Sequence, residues 1–289
     1  MDDVEIKEMV RARYGGIAAT SEARCCAPAA SSCCGDTAPG TPAEKSRQMG
    51  FSEAELAAVP DGANLGLGCG NPQAIAALKP GEVVVDLGSG AGFDCFLAAR
   101  QVGDAGHVVG VDMTHEMLKK ARANAALIGA ANVEFRLGEL EHLPVADQTA
   151  DVVIWNCVIN LVPDKEQVFR EAFRVLRHGG RLAVAGIVNT APLSAELQAD
   201  PTLLCGCSRR GAGGAYRGLA CRRRICRCSG HAKTGKPRAG KELGTRPQPR
   251  GSCRLGHGRG PQTLSARKEV PTSGCPDRCR DCFGEAAEG

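Results

Sequence analysis

Between residues 83 and 188 short β-branched apolar runs alternate with longer segments whose apolar positions recur at helical spacing. Val83–Leu87 is a first strand and Phe93–Val102 the helix after it. His107–Val111 is a second strand, ending on Asp112, and a helix runs from about His115 to Ile128. Val133–Leu137 is a third strand and Asp151–Asn156 a fourth. Within Lys165–Leu176, the residues Val168, Phe169, Ala172, Phe173, Val175 and Leu176 follow the three-and-four spacing of one helix face. Gly179-Gly180 is read as its stop, and Arg181–Val188 as a fifth strand. Strands and helices joined by short Gly/Pro connections predict an α/β fold with a doubly wound, mostly parallel sheet.

Residues 1–14 read as a helix, and 18–42 as an irregular stretch carrying Cys25-Cys26 and Cys33-Cys34. Ser52 followed by Glu55 has the form of a capping box. Asn71-Pro72 opens another short helix that ends near Lys79-Pro80-Gly81. The chain thus divides into a helical, cysteine-rich segment over 1–60, the alternating domain over 61–207, and a tail over 208–289. In the tail the pattern stops. Its large apolar residues are Tyr216, Leu219, Ile225, Leu243, Leu255, Leu264, Val270 and Phe283. Eight in 82 residues bury too little surface to offset chain entropy, so the tail is expected to be disordered. Its composition resembles the out-of-frame translation of a GC-rich gene.

Charge sharpens that division. Residues 208–289 hold nineteen Lys/Arg against six Asp/Glu, whereas 1–207 hold seventeen against twenty-six. The Arg222-Arg223-Arg224 run could attract phosphates, and Cys226/Cys228 or Cys275/Cys279/Cys282 a soft ion. Accidental composition explains all three, and no nucleic-acid partner is expected. The chain has no run of eighteen apolar residues, and Met1-Asp2-Asp3-Val4-Glu5 lacks the order of a signal peptide. A cytoplasmic protein without a membrane span is the expectation. Sixteen cysteines in that compartment call for soft-ion or redox chemistry.

The densest chemical signal follows the first strand. Asp86-Leu87-Gly88-Ser89-Gly90-Ala91-Gly92 carries an acid and then glycines at alternate positions, where the backbone can turn tightly against a ligand. The spacing is G-x-G-x-G, not the dinucleotide G-x-G-x-x-G. Asp86 could hold the amino group of a methionine-like ligand or simply cap the loop. Asp112 lies about twenty residues further on, where an acid can accept ribose hydroxyls. A solvated strand-end acid is the plainer alternative. Gly138-Glu139-Leu140-Glu141 follows the third strand, at an adenine edge or in a surface turn. Cys69 sits in a second glycine-rich turn, Cys157 follows the fourth strand, and Cys207 lies beyond the fifth. A single cysteine is usually a small buried hydrophobe, but three thiols meeting at one sheet edge would suit a thiophilic centre. For Cys95, after the loop, packing or a disulfide is expected.

Residues from about Val4 to Cys207 resemble the arsenite S-adenosylmethionine methyltransferases, the ArsM-type family. The resemblance lies in Asn64–Pro72 (NLGLGCGNP), Val85–Asp94 (VDLGSGAGFD), Gly110–Thr114 (GVDMT), Asn132–Pro144 (NVEFRLGELEHLP) and Asn156–Lys165 (NCVINLVPDK). It implies a Rossmann-like, class I S-adenosylmethionine-dependent methyltransferase. The donor pocket would be formed by Asp86, Gly88, Ser89, Gly90, Gly92, Asp112, Met113, Glu139, Leu140 and Asn156. It further implies trivalent arsenic on Cys69, Cys157 and Cys207, with one of Cys25, Cys26, Cys33 or Cys34 as a further participant. The implied substrate is arsenite or its thiol conjugates, with glutathione or a thioredoxin as reductant. The arsenic lone pair would attack the sulfonium methyl in line, so positioning is the main task and no general base is needed. Two departures stand out: His178 where the family often has proline, and a tail in which strands six and seven of this sheet class cannot be found. The fifth strand would then be an exposed edge. The rival readings are a methyltransferase of an organic small molecule, with structural cysteines, and a metalloid- or RNA-binding protein acting through its tail.

Overall fold

The computed structural model describes residues 2–20, 41–186, 229–231 and 262–267. Four helices precede the sheet: α1 (Asp3–Thr20), α2 (Pro42–Gln48), α3 (Glu53–Leu56) and α4 (Gln73–Ala76). The alternating region gives β1 (Val83–Leu87), α5 (Phe93–Val102), β2 (His107–Asp112), α6 (His115–Ile128), β3 (Val133–Leu137), β4 (Ala150–Asn156), α7 (Lys165–Val175) and β5 (Leu176–Gly186). Two further strands, β6 (Ser229–His231) and β7 (Gln262–Arg267), come from the tail.

The valine-rich strands pair in parallel because both of their faces are covered, which is why they read as unbroken apolar runs. Val84, Ile154 and Ala183 face α5 and α6, meeting Phe96, Leu97, Val102, Leu118 and Ala121. The next residues along, Val85, Val153, Trp155 and Leu182, face α7 and meet Val168, Phe169, Ala172 and Val175. Trp155 and Phe169 pack edge to face, their centroids 5.3 Å apart. The result is a three-layer sandwich of helix, sheet and helix.

Strand order is β3-β2-β1-β4-β5-β7-β6, with β1 parallel to both β2 and β4. The chain first builds outward from β1 through β2 to β3, then restarts on the other side with β4. Ligands of open α/β sheets bind at such a switch, beyond the strands' carboxyl ends. Here the switch lies between β1 and β4.

Two expectations need correction. First, β5 begins at Leu176, directly after α7, because Ala150 pairs with Leu176 and the register then jumps so that Val152 pairs with Arg181. Arg177–Gly180 is the excess chain of that irregularity, with Gly179 at φ +79°. Second, β5 is not the sheet's edge. β7 pairs antiparallel with it from Arg181↔Arg267 to Gly186↔Gln262, and β6 pairs antiparallel with β7. A ladder is made by backbone groups, so a segment poor in apolar residues can still supply one where an edge offers unpaired donors and acceptors.

At the amino end of the sheet, Arg181 is nearly buried. It donates to the carbonyls of Ala76 and Ala77 and pairs with both carboxylate oxygens of Glu82 at 2.6 Å. Arg181→Ala would strand Glu82, which is itself only 14% exposed. We expect a loss of about 3 kcal/mol in urea unfolding, with little change in ligand affinity, since the site is at the opposite end of the strands.

Candidate active site

All three glycines of the loop after β1 adopt left-handed backbone angles: Gly88 at φ +75°, Gly90 at +52° and Gly92 at +94°. Two of them are also hemmed in. A Cβ at Gly88 would lie 2.8 Å from Cβ of Val158, and one at Gly92 would lie 2.9 Å from the Phe135 ring. Gly90 differs: among the described residues, a Cβ there would meet only Met117 Sδ, at 3.9 Å. The preceding Ser89 hydroxyl is buried and, among the described residues, has no hydrogen-bond partner.

Asp112 closes β2 and ties this loop down. Its Oδ2 accepts from the Gly90 N–H at 2.9 Å and its Oδ1 from the Thr114 N–H at 2.8 Å. Burial pushes its carboxyl above the usual value, against the pull of these N–H groups. The Thr114 side chain and the Met113 N–H also bond this carboxylate. Met113 follows it, half-buried.

Beneath the loop lies an acidic pair. Asp86 is buried and accepts from the Cys95 thiol at 3.2 Å, so its carboxylate is turned inward. Burial and the neighbouring Asp94 raise it well above the ordinary carboxylate value. Cys95 is a free, buried thiol, which supports packing and excludes the disulfide considered for it. Asp94 is buried too. Gln73 donates to its backbone carbonyl and Asn156 to its Oδ2 at 3.1 Å, yet burial lifts its pKa to about 6.

That value has a sign for stability. Between pH 4 and 6 the folded chain holds a proton on Asp94 that the unfolded chain, with an ordinary carboxyl, has released. Stability therefore falls as pH rises through this window, and the cost is complete above about 6. Asp94→Asn removes the cost and keeps an acceptor for Asn156. Relative to the parent, the variant is expected to gain on the order of 2 kcal/mol between pH 4.5 and 7.5 in denaturant melts. A constant offset between the two proteins across that range would refute the assignment.

The structure brings Cys69 and Cys157 together across 88 residues of sequence. They are joined as a disulfide, not left as two free thiols, with their Cα atoms 5.5 Å apart. Cys157 follows β4 at φ +65°, a region that non-glycine residues seldom enter. The pair stands next to the glycine loop, because Gly88 packs against Val158. Cys207, Cys25, Cys26, Cys33 and Cys34 lie outside the described residues.

Three residues expected in the donor pocket have other partners. The Glu139 carboxylate is taken by Lys7, at 2.6 Å, and by Arg11, both from α1. It fastens α1 beside the loop, where Ile17 and Ala18 pack with Ala91 and Met117. Leu140 is part of the core around Trp155. The Asn156 amide is engaged with Cys69, Gly70 and Asp94. Sequence reading missed Asp94, Gln73, Lys7 and Arg11. Only Asp94, an acid in the first turn after the glycines, gave a local signal. Among the described residues no helix is long and apolar enough to cross a membrane.

Comparison with known proteins agrees with this fold. A methyltransferase-domain family matches residues 78–243, a span that runs beyond β6. The arsenite methyltransferase of Halobacterium salinarum is 56% identical over 212 residues, covering 71% of this chain and 53% of that protein. The arsenite methyltransferase of Aquipseudomonas alcaligenes is 46% identical over 147 residues, 48% of this chain and 42% of the relative. The chain thus spans about half the length of the curated relatives it matches. Among solved structures, an arsenic(III) S-adenosylmethionine methyltransferase from Chlamydomonas reinhardtii superposes with a TM-score of 0.56. It is 28% identical and covers 83% of this chain and 77% of its own.

Proposed function

The chain belongs to the methyltransferase-domain family, and we propose that it methylates trivalent arsenic, held by Cys69 and Cys157, from S-adenosylmethionine. The observation that carries this reading is the meeting of those two sulfurs beside the glycine loop at the sheet's switch point. When bound, S-adenosylmethionine supplies a methyl group made electrophilic by a sulfonium sulfur. The left-handed glycine loop after β1 and the Asp112 carboxylate that ends β2 beside it support a donor with an amino-acid part and a ribose. The relatives named for arsenite methylation support the choice of acceptor.

The protein's part is capture and placement. As a dithiol, Cys69 and Cys157 condense with arsenous acid, forming two As–S bonds and releasing two waters. The remaining hydroxide can exchange for a third thiol, Cys207 being our candidate, with the N-terminal cysteines or a small thiol as alternatives. The arsenic lone pair would bond to the donor's methyl group, leaving the positive charge on a pentavalent arsenic. Closing the Cys69–Cys157 disulfide would return arsenic to the trivalent state, with a hydroxide from water filling the vacated position and a proton released. No proton leaves the nucleophile, which suits a site whose nearest acids are buried beneath the loop. Disulfide-linked, the pair cannot take arsenic. Turnover therefore needs two electrons and two protons from a thiol reductant such as glutathione or a thioredoxin, which fits a cytoplasmic setting.

The test is methyl transfer from labelled S-adenosylmethionine to arsenite by the reduced full-length protein with glutathione present. Labelled methylarsenic is the expected product. Folded protein that binds the donor and yields none would overturn the reading.

A further inference from the structure

Asn156 ends β4, one residue before Cys157, and its side chain uses every hydrogen-bonding position it has. Oδ1 accepts from the N–H of Cys69 at 2.8 Å and of Gly70 at 3.2 Å. Nδ2 donates to the Gly70 carbonyl at 2.7 Å and to Asp94 Oδ2 at 3.1 Å. A carboxamide offers two donors and two acceptor lone pairs, so none is left for a bound donor molecule. Three of the four bonds end on residues 69 and 70.

The two cysteines are held in different ways. Cys157 is fixed by main chain, its N–H donating to the Ala185 carbonyl at 2.7 Å. Cys69 lies in a turn without regular secondary structure. That turn is secured on either side by Asn64, which bonds Ser46 and Gly66, and by Asn71, which bonds Gln73 and Ala74. Its middle is held by Asn156. Gly68 makes room for this contact, since a Cβ there would lie 2.6 Å from Asn156 Nδ2.

We infer that Asn156 is the positioning residue of the thiol pair: it clips the Cys69 turn to the strand that carries Cys157 and so sets how readily the two sulfurs act together. The inference concerns the pair itself. Its consequence for arsenic capture rests on the proposed function, but its test does not.

The full-length protein is equilibrated in glutathione redox buffers without arsenic, and thiols are alkylated and read peptide by peptide by mass spectrometry. Two glutathione molecules supply two electrons and two protons. The Cys69–Cys157 bond opens to two thiols and glutathione becomes its disulfide. In Asn156→Ala the freed turn lowers the effective concentration of one thiol at the other. The equilibrium is expected to move about tenfold toward the dithiol, or ~30 mV for a two-electron couple. Gly68→Ala, which displaces the amide without removing it, should move the equilibrium in the same direction. S-adenosylmethionine affinity is expected to stay within about twofold of the parent in both variants, because the amide has no free position for it. An unmoved thiol–disulfide equilibrium in both variants overturns the inference, and so does a loss of donor affinity without such a shift. A moved equilibrium in a protein that never methylates arsenite would leave the clip standing and refute the arsenic reading alone.

Discussion

Replacing Cys157 by serine will leave S-adenosylmethionine bound and stop methyl transfer to arsenite. A hydroxyl is a hard, weakly acidic ligand, and trivalent arsenic is soft, so the exchange that builds an As–S bond has no favourable counterpart at serine. The loss also exceeds one bond. With both sulfurs fixed across a 5.5 Å Cα separation, the second As–S bond forms within the protein. Its advantage over a bimolecular step is what positioning contributes. A single remaining thiol holds arsenic singly, free to swing away from the glycine loop. We expect kcat/KM for arsenite to fall by on the order of a thousandfold in Cys157→Ser and similarly in Cys69→Ser. The double variant should be hardly worse than either, because the pair acts as a unit. Labelled-methyl transfer measures this, and donor titration confirms that the fold survives. Arsenite methylation within tenfold of the parent in Cys69→Ser would mean that arsenic is held without this pair and that the two cysteines are structural.

How much of this was legible beforehand depended on whether a signal was local. The strand β1 and the helices α5 and α6 lie where their patterns placed them, because burial on both faces of a parallel strand leaves an unbroken apolar run. The start of β5 was hidden: Leu176 completes the spacing of α7 and also opens the strand, while the polar run after it is a register irregularity. The helix expected over residues 1–14 continues as α1 to Thr20, through Gly15-Gly16. There Gly15 lets α1 approach Glu116 of α6, where a Cβ would lie 3.0 Å from Oε2. The tail strands were hidden for a different reason. Ser229–His231 and Gln262–Arg267 join by backbone pairing, which leaves no apolar period to find.

The site divides along the same line. The glycines, Asp112, Cys69 and Cys157 each sit at a strand end or a glycine turn, and the family resemblance fixed on those same positions. Partners distant in sequence carried no local mark. Asn156 looked like a donor-pocket residue from its place after β4, yet its contacts are 86 and 87 residues away. Glu139 looked like an adenine contact from its place after β3, yet it pairs with a helix more than 120 residues earlier. In both cases position along the sheet gave no sign of these bonds, because a side chain's bonds depend on what the fold brings to it.

Asp112→Ala will uncouple the donor from the loop. The carboxylate sits at the end of β2 with one oxygen on the Gly90 N–H and the other on the Thr114 N–H. Removing it therefore has two effects. It deletes the carboxylate proposed to accept from a ribose, where a hydrogen bond to a charged group contributes about 1.5–3 kcal/mol. It also frees the loop at Gly90, whose N–H the carboxylate holds. Together these should weaken S-adenosylmethionine binding by on the order of a hundredfold or more, measured by calorimetry. S-adenosylhomocysteine should weaken equally, because the two share the ribose and differ only at the sulfur. Asp112→Asn keeps one acceptor and loses the charge, so a decrease of about tenfold is expected. At saturating donor, kcat in Asp112→Asn should stay near the parent's, since the role proposed for the residue is to hold the donor and not the arsenic. An alanine variant that folds and binds the donor within twofold of the parent would place the ribose elsewhere and leave Asp112 with a purely structural role in the loop. A parallel loss of arsenite binding, measured on the reduced protein without donor, would instead show that the loop and the thiol pair form one unit, as the packing of Gly88 on Val158 allows.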